Sequence, residues 1–299
     1  MNSFLLKIFK RIGLALCLLI AMLFLIDYLL KNEIDNFYVK LRSTTQNGLI
    51  LGDSRALQGL NPEKFDFPVE NFAFTIGHSP YDRSYLGLIK KKISPIPSTK
   101  KIHIISVTPW SVLANPKDSM DLNPYFSHNL SLPLMSPNFE YMYKYLNMSF
   151  VNLLRLLSSK SEVSDLGWCK ITMDSTELHR EYPRRVREKI QNYSTKYPIE
   201  NLNRQSPRIL NLVEIIKYLS LSGEVVLCRL PVSPEMLNLE NQKFHYFNNL
   251  LAEIAESNSA KFIDLTDLNI QTTDGNHIYW KDVNQVTLEL NRRIKNSSK

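Results

Sequence analysis

The chain has 299 residues, 44% of them hydrophobic and 22% charged, a balance that excludes wholesale disorder and allows one sizeable core. The formal net charge of +7 includes Lys7, Lys10 and Arg11 at the N-terminus, so the remainder is only mildly basic; with no helix-turn-helix, zinc-finger or RNA-binding block, no nucleic-acid partner is expected. The six histidines are scattered without paired spacing and no glycine-rich phosphate loop is present, so neither a metal site nor a bound cofactor is expected.

The first element is an apolar run from Ile12 to Leu30, 19 residues, in which Asp27 is the sole charge, one turn from Lys31. A helix of that length spans ~28 Å, enough to cross a bilayer once. Lys7, Lys10 and Arg11 precede it, so the positive-inside rule keeps the N-terminus cytoplasmic and sends the rest to the periplasm or cell surface. Phe24 to Leu30 lacks the small residues of a signal-peptidase site, which favours an uncleaved signal-anchor. The expected organisation is a basic cytoplasmic segment over 1–11, a membrane helix over 12–30, a polar juxtamembrane stalk over 31–47 and a globular domain over 48–299.

Within that domain the pattern predicts strands at 48–52, 69–74, 101–107, 224–230 and 261–265, and helices at 80–92, 206–221, 240–257 and 280–295. Strands alternating with helices predict a parallel α/β sheet, and short apolar runs such as that between Glu224 and Leu230 suit strands covered on both faces. Residues 117–205 fit none of these repeats and read as a largely helical insertion. Its aromatic stretch, with Tyr141, Tyr143, Tyr145 and Phe150, suits a packed core or a surface for sugar rings. Its arginines, Arg180, Arg184, Arg185 and Arg187, suit a solvated face or recognition of acidic groups. Cys169 and Cys228 read either as a disulfide or as buried thiols.

Two short blocks carry chemistry. Leu49-Ile50-Leu51 ends at Gly52-Asp53-Ser54-Arg55, the pattern of a buried strand stopping in a sharp turn, which places Ser54 at a sheet's carboxyl edge. Asp274-Gly275-Asn276-His277 follows the last predicted strand. A serine hydroxyl needs an imidazole to take its proton, and the imidazole needs a carboxylate to fix its tautomer; Asp274 and His277, three residues apart across a Gly-Asn turn, can supply both. Taken singly, Asp53 or Ser54 also suits a helix cap, His277 a loop histidine and Asp274 a turn former. Arg55, beside the serine, suits either a substrate carboxylate or phosphate or an ion pair with a neighbouring acid.

An early Gly-Asp-Ser block followed by a late Asp-x-x-His block resembles the SGNH (GDSL) hydrolase superfamily. The resemblance implies a three-layer α/β/α, flavodoxin-like domain with Ser54 as nucleophile, His277 as base and Asp274 as orienter. It places oxyanion donors at the backbone N–H of Ser54 and at Gly77, and implies acyl transfer or hydrolysis on esters, lipids or glycans. The tethered layout is similar to that of membrane-anchored members that O-acylate envelope polymers. The expected function is therefore a serine esterase or O-acyltransferase on acyl esters, acetyl foremost, of an extracytoplasmic glycan. The bilayer, an acylated polysaccharide and polysaccharide-assembly or acyl-donor membrane proteins are the expected partners. A non-catalytic assembly factor of the same fold and a lipid-directed esterase or thioesterase are the alternatives. The superfamily's Gly-x-Asn-Asp donor block has no counterpart, because after the strand at 101–107 the chain reads Thr108-Pro109-Trp110-Ser111.

Overall fold

A computed structural model describes residues 3–31, 37–74, 81–96, 101–112, 132–146, 161–196 and 207–297. Five parallel strands, β1 (Gly48–Leu51), β2 (Val69–Asn71), β3 (Ile102–Ser106), β6 (Glu224–Arg229) and β7 (Lys261–Asp264), form one sheet in the order β2-β1-β3-β6-β7. That is the flavodoxin-like order, and its reversal point lies between β1 and β3, where the loops leaving the two strands diverge. Two short strands, β4 (Ser161–Val163) and β5 (Cys169–Ile171), pair antiparallel as a separate ribbon that the hydrophobic pattern did not reveal.

Strand alternation builds the layers. Leu49, Leu51, Ile105, Val225 and Leu227 feed one face of the sheet; Ile50, Ile104, Val226, Cys228 and Ile263 feed the other. The first face is covered by α3 (Arg83–Lys92), α7 (Pro207–Ser220), α8 (Pro234–Lys243) and α9 (Phe247–Ser257), through Leu88, Leu212, Ile215, Met236 and Leu251. The second is covered by α2 (Ser54–Gly59) and α10 (Val283–Asn296), through Ala56, Leu57, Val286 and Leu290. The three-layer α/β/α architecture follows directly, because continuous apolar strands must be covered twice. The predicted helix 240–257 is in fact α8 and α9, with a break at Phe244 to Tyr246 that holds the Phe244 ring in the core, 5.3 Å from Trp110. Cys169 and Cys228 are buried thiols rather than a disulfide, and both help fill the second face of the sheet.

The N-terminal helix α1 (Ser3–Leu29) begins earlier than expected and carries a 26-residue span from Phe4 with mean hydropathy 2.5 and nearly every side chain exposed. Its length and composition are those of a membrane anchor or a signal sequence. The end of this helix is docked rather than free. Asp27 accepts from the Tyr38 hydroxyl at 2.6 Å and pairs with Arg42 at 2.7 Å, and Leu30 is buried. The expected polar stalk over 31–47 is corrected for its described part from Phe37 to Asn47: Tyr38 and Leu41, in a 3-10 turn (Tyr38–Leu41), are fully buried, and Thr45 bridges to Ile93. The apolar residues of this turn belong to the core of the domain, which therefore starts before Gly48.

Of the insertion, α5 (Phe139–Leu146) packs Tyr141 on Tyr38 at 5.6 Å, so this aromatic serves as core. The side chains of Tyr143 and Tyr145, and residue Phe150, lie outside the described set. The arginine-rich stretch is α6 (Ser175–Lys196), in which Arg184 pairs with Glu181 and Glu188, and Arg180 with Glu181, along an exposed face.

Candidate active site

Strand β1 runs into α2 through Gly52, whose φ of +146° is open to glycine; a Cβ there would lie 2.8 Å from the Ser106 carbonyl oxygen. The tightness of this turn brings Ser54 to the first position of the helix. Asp53 caps α2, accepting from the Arg55 backbone N–H at 2.9 Å, while its other oxygen accepts from the Thr108 hydroxyl at 2.8 Å. Capping by Asp53 and presentation of Ser54 are therefore two consequences of one turn.

The second loop leaves β7 and folds back at Gly275, where φ is +83°. Oδ1 of Asp274 accepts from the backbone N–H groups of Asn276 (3.0 Å) and His277 (2.9 Å), closing the turn. The same carboxylate meets His277 Nδ1 at 2.9 Å, and His277 Nε2 lies 2.9 Å from Ser54 Oγ. The three side chains thus form one hydrogen-bonded row across 223 positions of sequence. Ser54 is 9% exposed, and the His277 and Asp274 side chains 14% and 15%, so the row sits just below the surface, shielded yet reachable.

The electrostatics keep Asp274 ionised. Burial alone pushes a carboxyl group upward, but the His277 ring and then the Lys189 ammonium, 2.9 Å from Oδ2, outweigh it and hold Asp274 well below the usual carboxylate range. A carboxylate on Nδ1 leaves Nε2 free to receive the serine proton.

Arg55 does not face a substrate. Its side chain is 2% exposed, ion-paired with the fully buried Glu240 at 2.5 Å and bonded through Nε and an Nη to Asn276 Oδ1 at 3.0 and 2.7 Å. The substrate-binding expectation gives way to the ion-pair one, because a guanidinium buried against these groups is not open to a ligand. Glu240 also accepts from Trp110 Nε1 and Arg229, both at 2.7 Å. Burial would raise this carboxyl group, but the two guanidinium groups, Arg55 first, keep it lowered and ionised.

Of the expected oxyanion donors, Ser54 opens α2, where helix geometry leaves a backbone N–H without an intrahelical partner. Gly77 lies outside the described residues. In place of the missing asparagine block, α4 (Pro109–Val112) follows β3, and Thr108 and Ser111 bond each other reciprocally, Thr108 N–H to Ser111 Oγ at 3.0 Å and Ser111 N–H to Thr108 Oγ1 at 3.1 Å. That segment buttresses Asp53 from below. No group of side chains suited to holding a metal ion occurs among the described residues.

Sequence reading missed Lys189, Glu240 and Asn276. Asn276 lies within the block from Asp274 to His277 and could have been found as the neighbour of His277. The other two had no local signal, being brought in by α6 and α8. Beside the triad loop, α6 and Glu235 line a groove of about 640 Å³ with Tyr182, Val186, Arg187 and Ile190 among its walls. Tyr182 reaches Thr272 at 2.9 Å, so this groove borders the loop that carries Asp274.

No family model matches the sequence, and no curated protein matches it. Among solved structures it is similar to an aryl esterase of M. Smegmatis, at 12% identity and a TM-score of 0.37, covering 84% of this chain and 99% of that one. The inhibitor-bound form of that esterase has the same values. A phospholipase A1 from Streptomyces albidoflavus NA297 is similar at 10% identity and a TM-score of 0.37, covering 83% and 98%. Likeness at this level carries no inference about the reaction.

Proposed function

We propose that the chain is a membrane-anchored serine ester hydrolase or O-acyltransferase of the SGNH type. The observation that carries this reading is the unbroken row from Ser54 Oγ through His277 to Asp274. In the reaction, Ser54 Oγ bonds to the ester carbonyl carbon as its proton passes to His277 Nε2, and Asp274 stabilises the imidazolium. The Ser54 N–H takes the oxyanion, and collapse of the tetrahedral intermediate expels the alcohol, which receives the proton from His277. Water or a sugar hydroxyl, deprotonated by the same ring, then attacks the acyl-serine and restores it.

The proposed location is extracytoplasmic, supported by Lys7, Lys10 and Arg11 ahead of the apolar helix. Retention of the helix is supported by its docked end, since Asp27 and Leu30 are part of the domain's own packing. On that reading the proposed substrates are acyl esters, acetyl foremost, on an envelope glycan, with polysaccharide-assembly or acyl-donor membrane proteins as partners.

A fluorophosphonate probe on the full-length chain in detergent tests the core of the proposal. Labelling of the wild type, abolished in Ser54→Ala and in His277→Ala, is the expected result. A folded wild type that takes no label at any pH would overturn it in favour of a non-catalytic assembly factor.

A further inference from the structure

The triad carboxylate has a fourth partner. Lys189 Nζ lies 2.9 Å from Asp274 Oδ2, the same oxygen that faces His277 Nδ1 at 2.9 Å. The lysine comes from α6, in the insertion, and no step of the acyl-transfer chemistry calls for it. Resting on the serine-hydrolase reading above, we propose that Lys189 is a positioning residue that acts through Asp274, and that its charge sets how acidic a medium the catalytic base tolerates.

Geometry separates charge from scaffolding here. Oδ1 of Asp274 is already tied by two backbone N–H groups of its own loop, and Gly275 O accepts from the Ser233 N–H at 2.9 Å, so the loop keeps its shape without the lysine. What Lys189 adds is a cation beside the carboxylate that stabilises the imidazolium. A positive charge there opposes a second positive charge on the ring, so removing the lysine charge is expected to favour the imidazolium and to weaken proton acceptance from Ser54 in acid.

The other charged groups near the loop include Arg187, on the groove wall. Arg55 and Arg229 share Glu240, and Asp53 is taken up by the Arg55 backbone N–H and Thr108. On α6 itself, Arg180 and Arg184 pair with Glu181, and Arg185 stands 4.0 Å from Glu177. From α8, Glu235 borders the groove that α6 lines. From α6, Tyr182 meets the loop as a neutral hydroxyl at Thr272. Among the described residues, Lys189 is the cation that pairs directly with the triad carboxylate.

The test is the pH profile of fluorophosphonate labelling for full-length wild type, Lys189→Met, Lys189→Gln and Lys189→Arg. Removing the charge is expected to move the midpoint of the acid limb upward by roughly half a unit to one unit. Labelling of the Met and Gln variants near pH 5.5 should then fall severalfold below wild type, with plateau rates at pH 8 to 9 within about threefold. Lys189→Arg should restore the wild-type limb. An unchanged limb in the Met and Gln variants, or a limb that Arg leaves displaced, overturns the inference while the hydrolase reading stands. A wild type that takes no label removes both.

Discussion

Arg55, the residue after Ser54, and Asn276, the residue before His277, are joined by two hydrogen bonds to a single amide oxygen, at 3.0 and 2.7 Å. A guanidinium only donates, so the Asn276 oxygen must face it and the Asn276 NH2 group must turn toward His277, whose Nε2 lies 3.3 Å away. The clamp registers the loops that carry Ser54 and His277 against each other, and Glu240 anchors its far side.

Breaking that clamp should cost both stability and chemistry. Arg55→Ala leaves Glu240 buried with one guanidinium partner fewer, a change expected to cost about 3–5 kcal/mol. Arg55→Lys keeps a charge for Glu240 but loses the fork on Asn276. It is expected to lower the labelling rate at least about tenfold, with a smaller loss of stability, since about 1.4 kcal/mol of misplacement is a factor of ten. Thermal unfolding beside labelling kinetics separates the two; equal labelling by Arg55→Lys and wild type would show that the clamp does not register the site.

Asp274→Asn should leave the fold nearly intact, because an amide oxygen can still accept from the loop's own N–H groups. It should nevertheless reduce labelling by about four powers of ten, since an amide NH2 toward Nδ1 selects the wrong tautomer. The measurement is single-turnover labelling at pH 7.5, and a loss smaller than tenfold would argue against Asp274 as the orienter.

Gly52→Ala places a Cβ at φ +146°, 2.8 Å from the Ser106 carbonyl oxygen and 2.9 Å from the Ala56 Cβ. Both contacts are with groups held by β3 and α2, so the turn must open. A loss of about 1–3 kcal/mol is expected from the backbone strain alone. Labelling should fall out of proportion to it as Ser54 moves off the His277 ring. Unaltered melting and labelling would contradict the argument.

His103 predicts an acid-labile core away from the site. On β3 its Nδ1 accepts from the Leu49 N–H at 3.2 Å and its Nε2 lies 3.1 Å from Ser222 Oγ. Burial, with Lys101 adding to it, lowers the ring from 6.5 to about 4. Below pH 6.5 the unfolded chain therefore takes up a proton that the folded one refuses until about pH 4, so stability falls as pH drops through that window. The loss is on the order of 3 kcal/mol by linkage. His103→Asn keeps an acceptor for Leu49 without titrating. Denaturant unfolding from pH 7 to 4 should show a shallower slope for this variant, and parallel curves would refute the assignment.

The five strands of the sheet and most of the covering helices were legible because each is specified locally. Runs such as Leu49-Ile50-Leu51 and Val225 to Cys228 are apolar on both faces with a glycine at or near an end, and the helices between them show one-sided patterns. The break between α8 and α9 was not legible, since no glycine or proline marks Phe244 to Tyr246; the turn exists because the Phe244 ring packs on Trp110. The supposed stalk failed for a similar reason. Its polar residues hide Tyr38 and Leu41, whose burial depends on α5 and on the end of α1.

By itself the sequence determined the apolar N-terminal helix and the parallel α/β layering and singled out Ser54, Asp274 and His277 as candidates, because periodicity, turn chemistry and short blocks are written over a few neighbouring residues. The tertiary structure alone decided that those blocks meet at 2.9 Å, that Arg55 turns inward to Glu240 and Asn276, and that Lys189 arrives beside Asp274. Such pairings join residues far apart in the chain, and only the packing of helices on a sheet brings their charges close enough to hold one another.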